Sequence, residues 1–156
     1  MPITYSDTIT PYAQGRRVNA EEWNGVSRVA EGAIGFGVPV MPGTARRSVL
    51  ALSATTGQNV LGITEARPDL PHPGDAYAVD DTVAVCEVGV IGVLLGANVT
   101  AGAQARWNTA NSTWTGAAQS ATVVTIPGAQ FDEAGTSGDV GVVRYRRPVP
   151  SLSVSG

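Results

Sequence analysis

Thr82-Val83-Ala84-Val85-Cys86-Glu87-Val88-Gly89-Val90-Ile91-Gly92-Val93-Leu94-Leu95 is the most strongly patterned stretch of the chain. It is rich in Val and Ile and contains no Pro. It lies between Asp80-Asp81 and Gly96-Ala97-Asn98, so it reads as β-structure bounded by turns. The interior Gly89 and Gly92 mark a bulge, a bend or a close backbone approach. Alternate residues give two faces, and both are apolar except for Glu87. A half-buried antiparallel strand shows one polar face. Both faces here therefore need cover, from a second sheet, the chain's own arm or another subunit. We expect Val88, Val90 and Leu94 to face the core, with Ile91, Val93 and Leu95 beneath that cover.

Further strands flank this one. Residues 38–40, 48–53, 59–64 and 76–79 read as strands, separated by Pro42-Gly43, by a 55–58 turn and by the proline-rich loop 67–74. Beyond Gly102, residues 103–107 and a strand around Trp114 form a hairpin that brings Trp107 and Trp114 together. Residues 121–126 and 140–145 complete the set, with 127–139 as a loop. Short strands at these spacings, with little length left for helix, predict an all-β fold: a single β-barrel or jelly-roll-like sandwich of short antiparallel strands.

The ends differ from the body. Residues 1–25 read as an extended N-terminal arm, with Pro2, Pro11 and Gly15 but also the apolar Ile3, Tyr5, Ile9 and Tyr12. Within the arm, Asn19 as cap, Glu22 three residues later and Val18 opposite Trp23 predict a short capped helical turn that stops at Gly25. Residues 26–147 are the predicted body, and 148–156 a loose tail.

Composition narrows the function. At 156 residues the chain is most simply one domain with a real core. Its ten basic residues are all Arg, and with a net charge of −3 nothing attracts it generally to nucleic acid or to anionic membranes. No basic-then-apolar opening suggests a signal peptide, and the apolar run 88–97 is too short and Gly-rich to span a bilayer. The single Cys86 rules out an intrachain disulfide and reads as a small core residue.

Catalytic constellations are missing. His72 lies between Pro71 and Pro73. A metal site from Asp69, His72, Asp75, Asp80 and Asp81 matches no zinc or calcium signature, and a solvated acidic loop accounts for these residues better. Glu87 has no second group at a diagnostic spacing, so it is read as an edge residue or as the partner of an Arg. Residues 32–37 miss the dinucleotide-binding spacing, and there is no phosphate loop or nucleophile elbow. No enzyme activity, cofactor or metal is expected. The clusters Arg46-Arg47 and Arg144-Tyr145-Arg146-Arg147 suit protein contacts better than single-stranded nucleic acid, given the acidic balance.

Several stretches together resemble the capsid cement (decoration) proteins of tailed bacteriophages. They are Ser27–Gly37, with its SR-x-x-EG and I-x-FG elements; Val60-Leu61-Gly62-Ile63-Thr64; Val88–Val93 followed by Val99-Thr100-Ala101-Gly102; and Ile126-Pro127-Gly128-Ala129-Gln130-Phe131 followed by Ala134-Gly135 and Val142-Val143. Residues 135–139 have no counterpart in the pattern. The resemblance implies a non-catalytic β-barrel on the outer surface of an icosahedral head, made in the host cytoplasm. It would clamp adjacent major capsid protein subunits as a symmetric dimer or trimer. Ile3, Tyr5, Ile9, Tyr12, Arg16, Arg17, Trp23, Arg144, Arg146 and Arg147 are the expected capsid or subunit contacts. The alternative is a carbohydrate- or receptor-binding β-sandwich of a phage tail or surface protein, with Trp107 and Trp114 as its platform; core packing of the two Trp is the preferred reading.

Overall fold

A computed structural model describes residues 13–53, 59–66 and 76–148. Its strands are β1 (Asn24–Ala30), β2 (Ile34–Gly35), β3 (Pro39–Pro42), β4 (Ser48–Ala51), β5 (Gly62–Thr64), β6 (Ala76–Tyr77), β7 (Thr82–Leu94), β8 (Gln104–Asn108), β9 (Thr113–Thr115), β10 (Val123–Phe131) and β11 (Val140–Arg146). No α-helix occurs among the described residues, so the protein is all-β as its alternating pattern predicts.

Strand β7 organises the molecule because it is long enough to serve two rings. In the first ring β1, β4, β3, β5 and β7 pair in that order, and β1 closes it by pairing with β7 from Val88 to Thr82. All its contacts are antiparallel except β1 with β4, which is parallel. In the second, β7 pairs through its later residues with β11, and β10, β8 and β9 follow. A bridge between Leu95 and Trp114, with the Gly96 N–H donating to the Trp114 carbonyl at 2.8 Å, brings β9 back to the end of β7.

Each ring encloses a core. Val83 and Val85 pack with Val40, Val49, Phe36 and Tyr77, the last two edge to face at 5.2 Å. Ile91, Val93 and Leu95 lie in the other core with Trp107, Trp114, Phe131 and Tyr145. Both sets are odd-numbered, and the even-numbered Cys86 joins the second core where the pairing with β1 shifts register. The expected assignment of faces is therefore reversed: Ile91, Val93 and Leu95 are core residues, whereas Val88 and Leu94 are half-buried. Val90 is buried on the opposite face. Burying each of these large aliphatic side chains contributes about 1.5–3 kcal/mol.

Two further expectations are corrected. Residues 127–139 are not all loop, because β10 continues through Pro127 and Gly128 to Phe131. Pro127 has no N–H, and the ladder with β8 skips from Thr125 to Gln130. The side-chain amide of Gln104 spans the gap by donating to the carbonyls of Ile126 (2.9 Å) and Ala129 (2.8 Å). The helical turn expected within residues 18–25 does not form either: residues 19–21 are a bend and Gly25 lies inside β1. The Asn19 side chain does accept from the Glu21 N–H at 3.2 Å, as a cap would. The turn does not propagate because Arg17 occupies the carbonyls of Asn19 and Glu21, at 2.9 and 2.8 Å, and strand pairing with β7 begins at Asn24.

Candidate functional site: the strap at residues 13–23 and the arginine end

The described chain begins on β7. The Gly15 N–H donates to the Gly92 carbonyl (2.8 Å), the Gly92 N–H to the Arg16 carbonyl (3.0 Å), and the Val18 N–H to the Val90 carbonyl (3.0 Å). Since β11 occupies the other edge of β7 over Val88–Leu94, this strap completes the pairing of β7 on its free side. Gly92 is glycine because a Cβ there would lie 2.5 Å from the Ala13 carbonyl oxygen. Gly15 takes φ 72° at the turn where the strap enters, and its carbonyl accepts from Ala66 at 2.8 Å.

Beyond that pairing, Trp23 of the strap packs against the second core. The Trp23 ring lies against Gly89, where a Cβ would come within 2.4 Å of it, and the Arg17 guanidinium sits 5.3 Å from the ring centroid. Glu21 and Glu22 come down on the arginine end of β11. Arg144 pairs with Glu21 through both terminal nitrogens, and its Nε donates to Asp132 at 3.0 Å. Arg146 pairs with Glu22 at 2.6 Å, and Arg147 with Glu87 at 2.9 Å. The hydrogen bond from Arg144 holds the Glu21 carboxyl below its ordinary range. The same bond, with a second that Arg144 donates to Asp132, raises Arg144 further. Such exposed pairs are individually weak in water. Their effect is geometric, since Arg144 and Arg146 hold Glu21 and Glu22 of the strap while Asp132 holds the Arg144 fork. A cavity of about 350 Å³ remains between strap and sheet, lined by Val88, Gly89, Val90, Gln130 and the paired charges.

The expected contact residues thus fall into two groups. Arg16, Arg17, Trp23, Arg144, Arg146 and Arg147 lie in or beside this one strapped face, and Arg16 is exposed. Ile3, Tyr5, Ile9 and Tyr12 lie outside the described residues. Sequence reasoning missed Glu21, Glu22 and Asp132 as the partners of the arginines. The only available signal was opposite charge, and Glu21-Glu22 looked like helix capping. Glu87 does meet an arginine, within its own chain.

Other candidate chemistry is placed elsewhere. Trp107 and Trp114 are buried in the second core with ring centroids 5.6 Å apart, edge to face, so they offer no surface platform. Burial, and next the nearby Glu65, push the Cys86 thiol up to about 12, which leaves no thiolate at neutral pH. Of the acidic loop residues, Asp69, His72 and Asp75 lie outside the described residues. Among the described residues no group of three His, Cys, Asp or Glu side chains is placed to hold a metal ion.

The chain was compared with known proteins. A search of curated protein sequences finds no match. Among solved structures, the fold is similar to a chain in the capsid of Myoviridae phage XM1, with a TM-score of 0.73 at 15% identity, covering 93% of this chain and 96% of that one. The N base of head fiber gp8.5 of bacteriophage phi29 gives a TM-score of 0.46 at 9% identity, covering 83% of this chain and 99% of that one. The family model described as structural cement protein (E217 gp24/Pam3 gp6) matches residues 1–146. With nearly its whole length matched, this chain belongs to the phage structural cement protein family.

Proposed function

We propose that the protein binds the outer surface of an icosahedral phage head and clamps adjacent major capsid protein subunits, stabilising the expanded shell without catalysing a reaction. The observation that carries this reading is the match to the structural cement family over residues 1–146. In this reading residues 1–25 are the contact arm, and the strapped face of β7 and β11 is its base. Arg144 and Arg146 hold Glu21 and Glu22 of that base, and Ile3, Tyr5, Ile9 and Tyr12 are the apolar contact residues of the arm in this reading. The working form is a symmetric homo-oligomer on the shell.

The test is re-addition. Shells stripped of this protein should take it up and gain resistance to heat, whereas a chain lacking residues 1–12 should bind at least about tenfold more weakly. Equal uptake by the shortened chain would remove the arm from the contact. No uptake of the intact chain would remove the cement reading for this shell.

A further inference from the structure

One end of the first ring carries features that neither the strap nor the cores use. Val29 and Val79 are the exposed large apolar side chains of the described residues, at 40% and 57%. Both belong to this end. Val29 lies near the close of β1, level with Ser48 of β4 on one side and Thr82 of β7 on the other. Its N–H donates to the Arg47 carbonyl at 3.1 Å, and the next residue, Ala30, accepts from the Asp80 N–H at 2.8 Å. The end of β1 is therefore flanked by two turns, one presenting Arg46-Arg47 and the other Val79-Asp80.

Both turns are built rather than loose. Arg47 and Asp80 adopt φ of 62° and 69°, a conformation L-residues rarely take. The first turn is fixed by Glu31, whose carboxylate accepts from the Thr44 N–H at 2.7 Å, the Ala45 N–H at 3.2 Å and the Thr44 and Ser48 hydroxyls. The second is fixed by the Asp81 carboxylate, which accepts from the Ala78 N–H at 2.8 Å, and by the Ala30 N–H donating to the Asp81 carbonyl at 2.9 Å. Arg46, Arg47 and Asp80 are exposed, and none of them joins the ion pairs found among the described residues.

We propose that this end of the first ring is a two-fold contact surface for a second copy of the chain, with Val29 and Val79 at its centre and the arginines of each copy facing Asp80 of the other. Charge decides the occupant. The patch carries both signs beside exposed valines, the composition that an isologous interface needs when each copy offers the same patch to the other. A partner surface of a single sign would be repelled by part of it. Two valines and three charges make a small interface, below the ~1,200 Å² of standard complexes. The contact is correspondingly weak in solution and gains strength when copies are held side by side on a surface. The inference rests on the homo-oligomer part of the proposed function and gives it a location.

Sedimentation of the full chain as a function of concentration tests this. The wild type should form a dimer below about 1 mM. Val79→Glu should weaken it roughly tenfold or more without altering thermal unfolding, because the side chain is exposed. Arg47→Glu should weaken it similarly, and Arg47→Glu combined with Asp80→Arg should restore it, since the swapped charges meet across the two-fold axis. Arg47→Lys, which keeps the charge if the swapped pair fails to fold, should retain the dimer. A wild type that stays monomeric overturns the two-fold contact. If such a monomer still loads onto stripped shells, the cement reading stands alone. An oligomer indifferent to Val79→Glu and Arg47→Glu overturns the location and leaves the oligomer intact.

Discussion

The indole N–H of Trp114 donates to the Gly37 carbonyl at 2.8 Å, joining residues 77 positions apart. Trp114 belongs to the second ring, and Gly37 lies just before β3 of the first. This buried bond ties the two rings together beside their shared strand, since a Cβ on Gly37 would meet the Gly92 carbonyl oxygen at 2.9 Å. Trp114→Phe keeps much of the apolar volume but leaves the carbonyl without its donor. It should cost about 2–4 kcal/mol in chemical denaturation. A cost under about 0.5 kcal/mol would mean that the rings are joined through β7 alone.

Gly92 sets how closely the strap can approach. In Gly92→Ala the new methyl group would meet the Ala13 carbonyl at 2.5 Å, with no flexible side chain to give way. The strap root should lift and cost about 1–3 kcal/mol. Hydrogen exchange should show faster exchange at the amides of Gly15 and Val18, which donate to Gly92 and Val90. Unchanged protection at both amides would show that the strap tolerates the methyl group.

The strap should also respond to acid. The Glu21 carboxyl is held below its usual value in the folded chain, chiefly by the Arg144 hydrogen bond. Its stabilising contribution is therefore complete above the unfolded glutamate pKa of about 4.3 and is lost as the pH falls through the lower folded value. Glu31, lowered first by the Thr44 hydroxyl, is lost over the same kind of window at the opposite turn. Acidification from neutral pH should release Trp23 from Gly89 and change its fluorescence. Glu21→Gln should remove the Glu21 share of that transition. An identical acid curve in this variant would place the transition elsewhere.

Cys86 should be chemically silent. Its thiol is buried and pushed up to about 12, so a thiol reagent at neutral pH should react only after denaturant unfolds the chain. Rapid labelling of the native protein would show that β7 opens more readily than its two cores imply.

How much of this was legible beforehand depended on whether a residue acts locally or through distant partners. Alternation of Val and Ile in 82–95 predicted a strand covered on both faces, because the side-chain period of a strand is a local property. The pairing of Trp107 with Trp114 across a short turn was equally local. The strap was not. Glu21 and Glu22 meet Arg144 and Arg146 more than 120 positions away, and the local capping pattern pointed to a helix instead.

Local patterning was enough to read an all-β chain, a family pattern, a buried cysteine and an unusually apolar central strand. Which face of that strand is core depended on how the strands close around it. The alternation of 82–95 is nearly symmetric in hydrophobicity, so burial free energy alone does not choose between its faces. Closure of two rings on one strand makes the choice. It places Val83, Val85, Ile91, Val93 and Leu95 inside, and Val88 and Val90 beside Glu21, Glu22 and the arginines of β11.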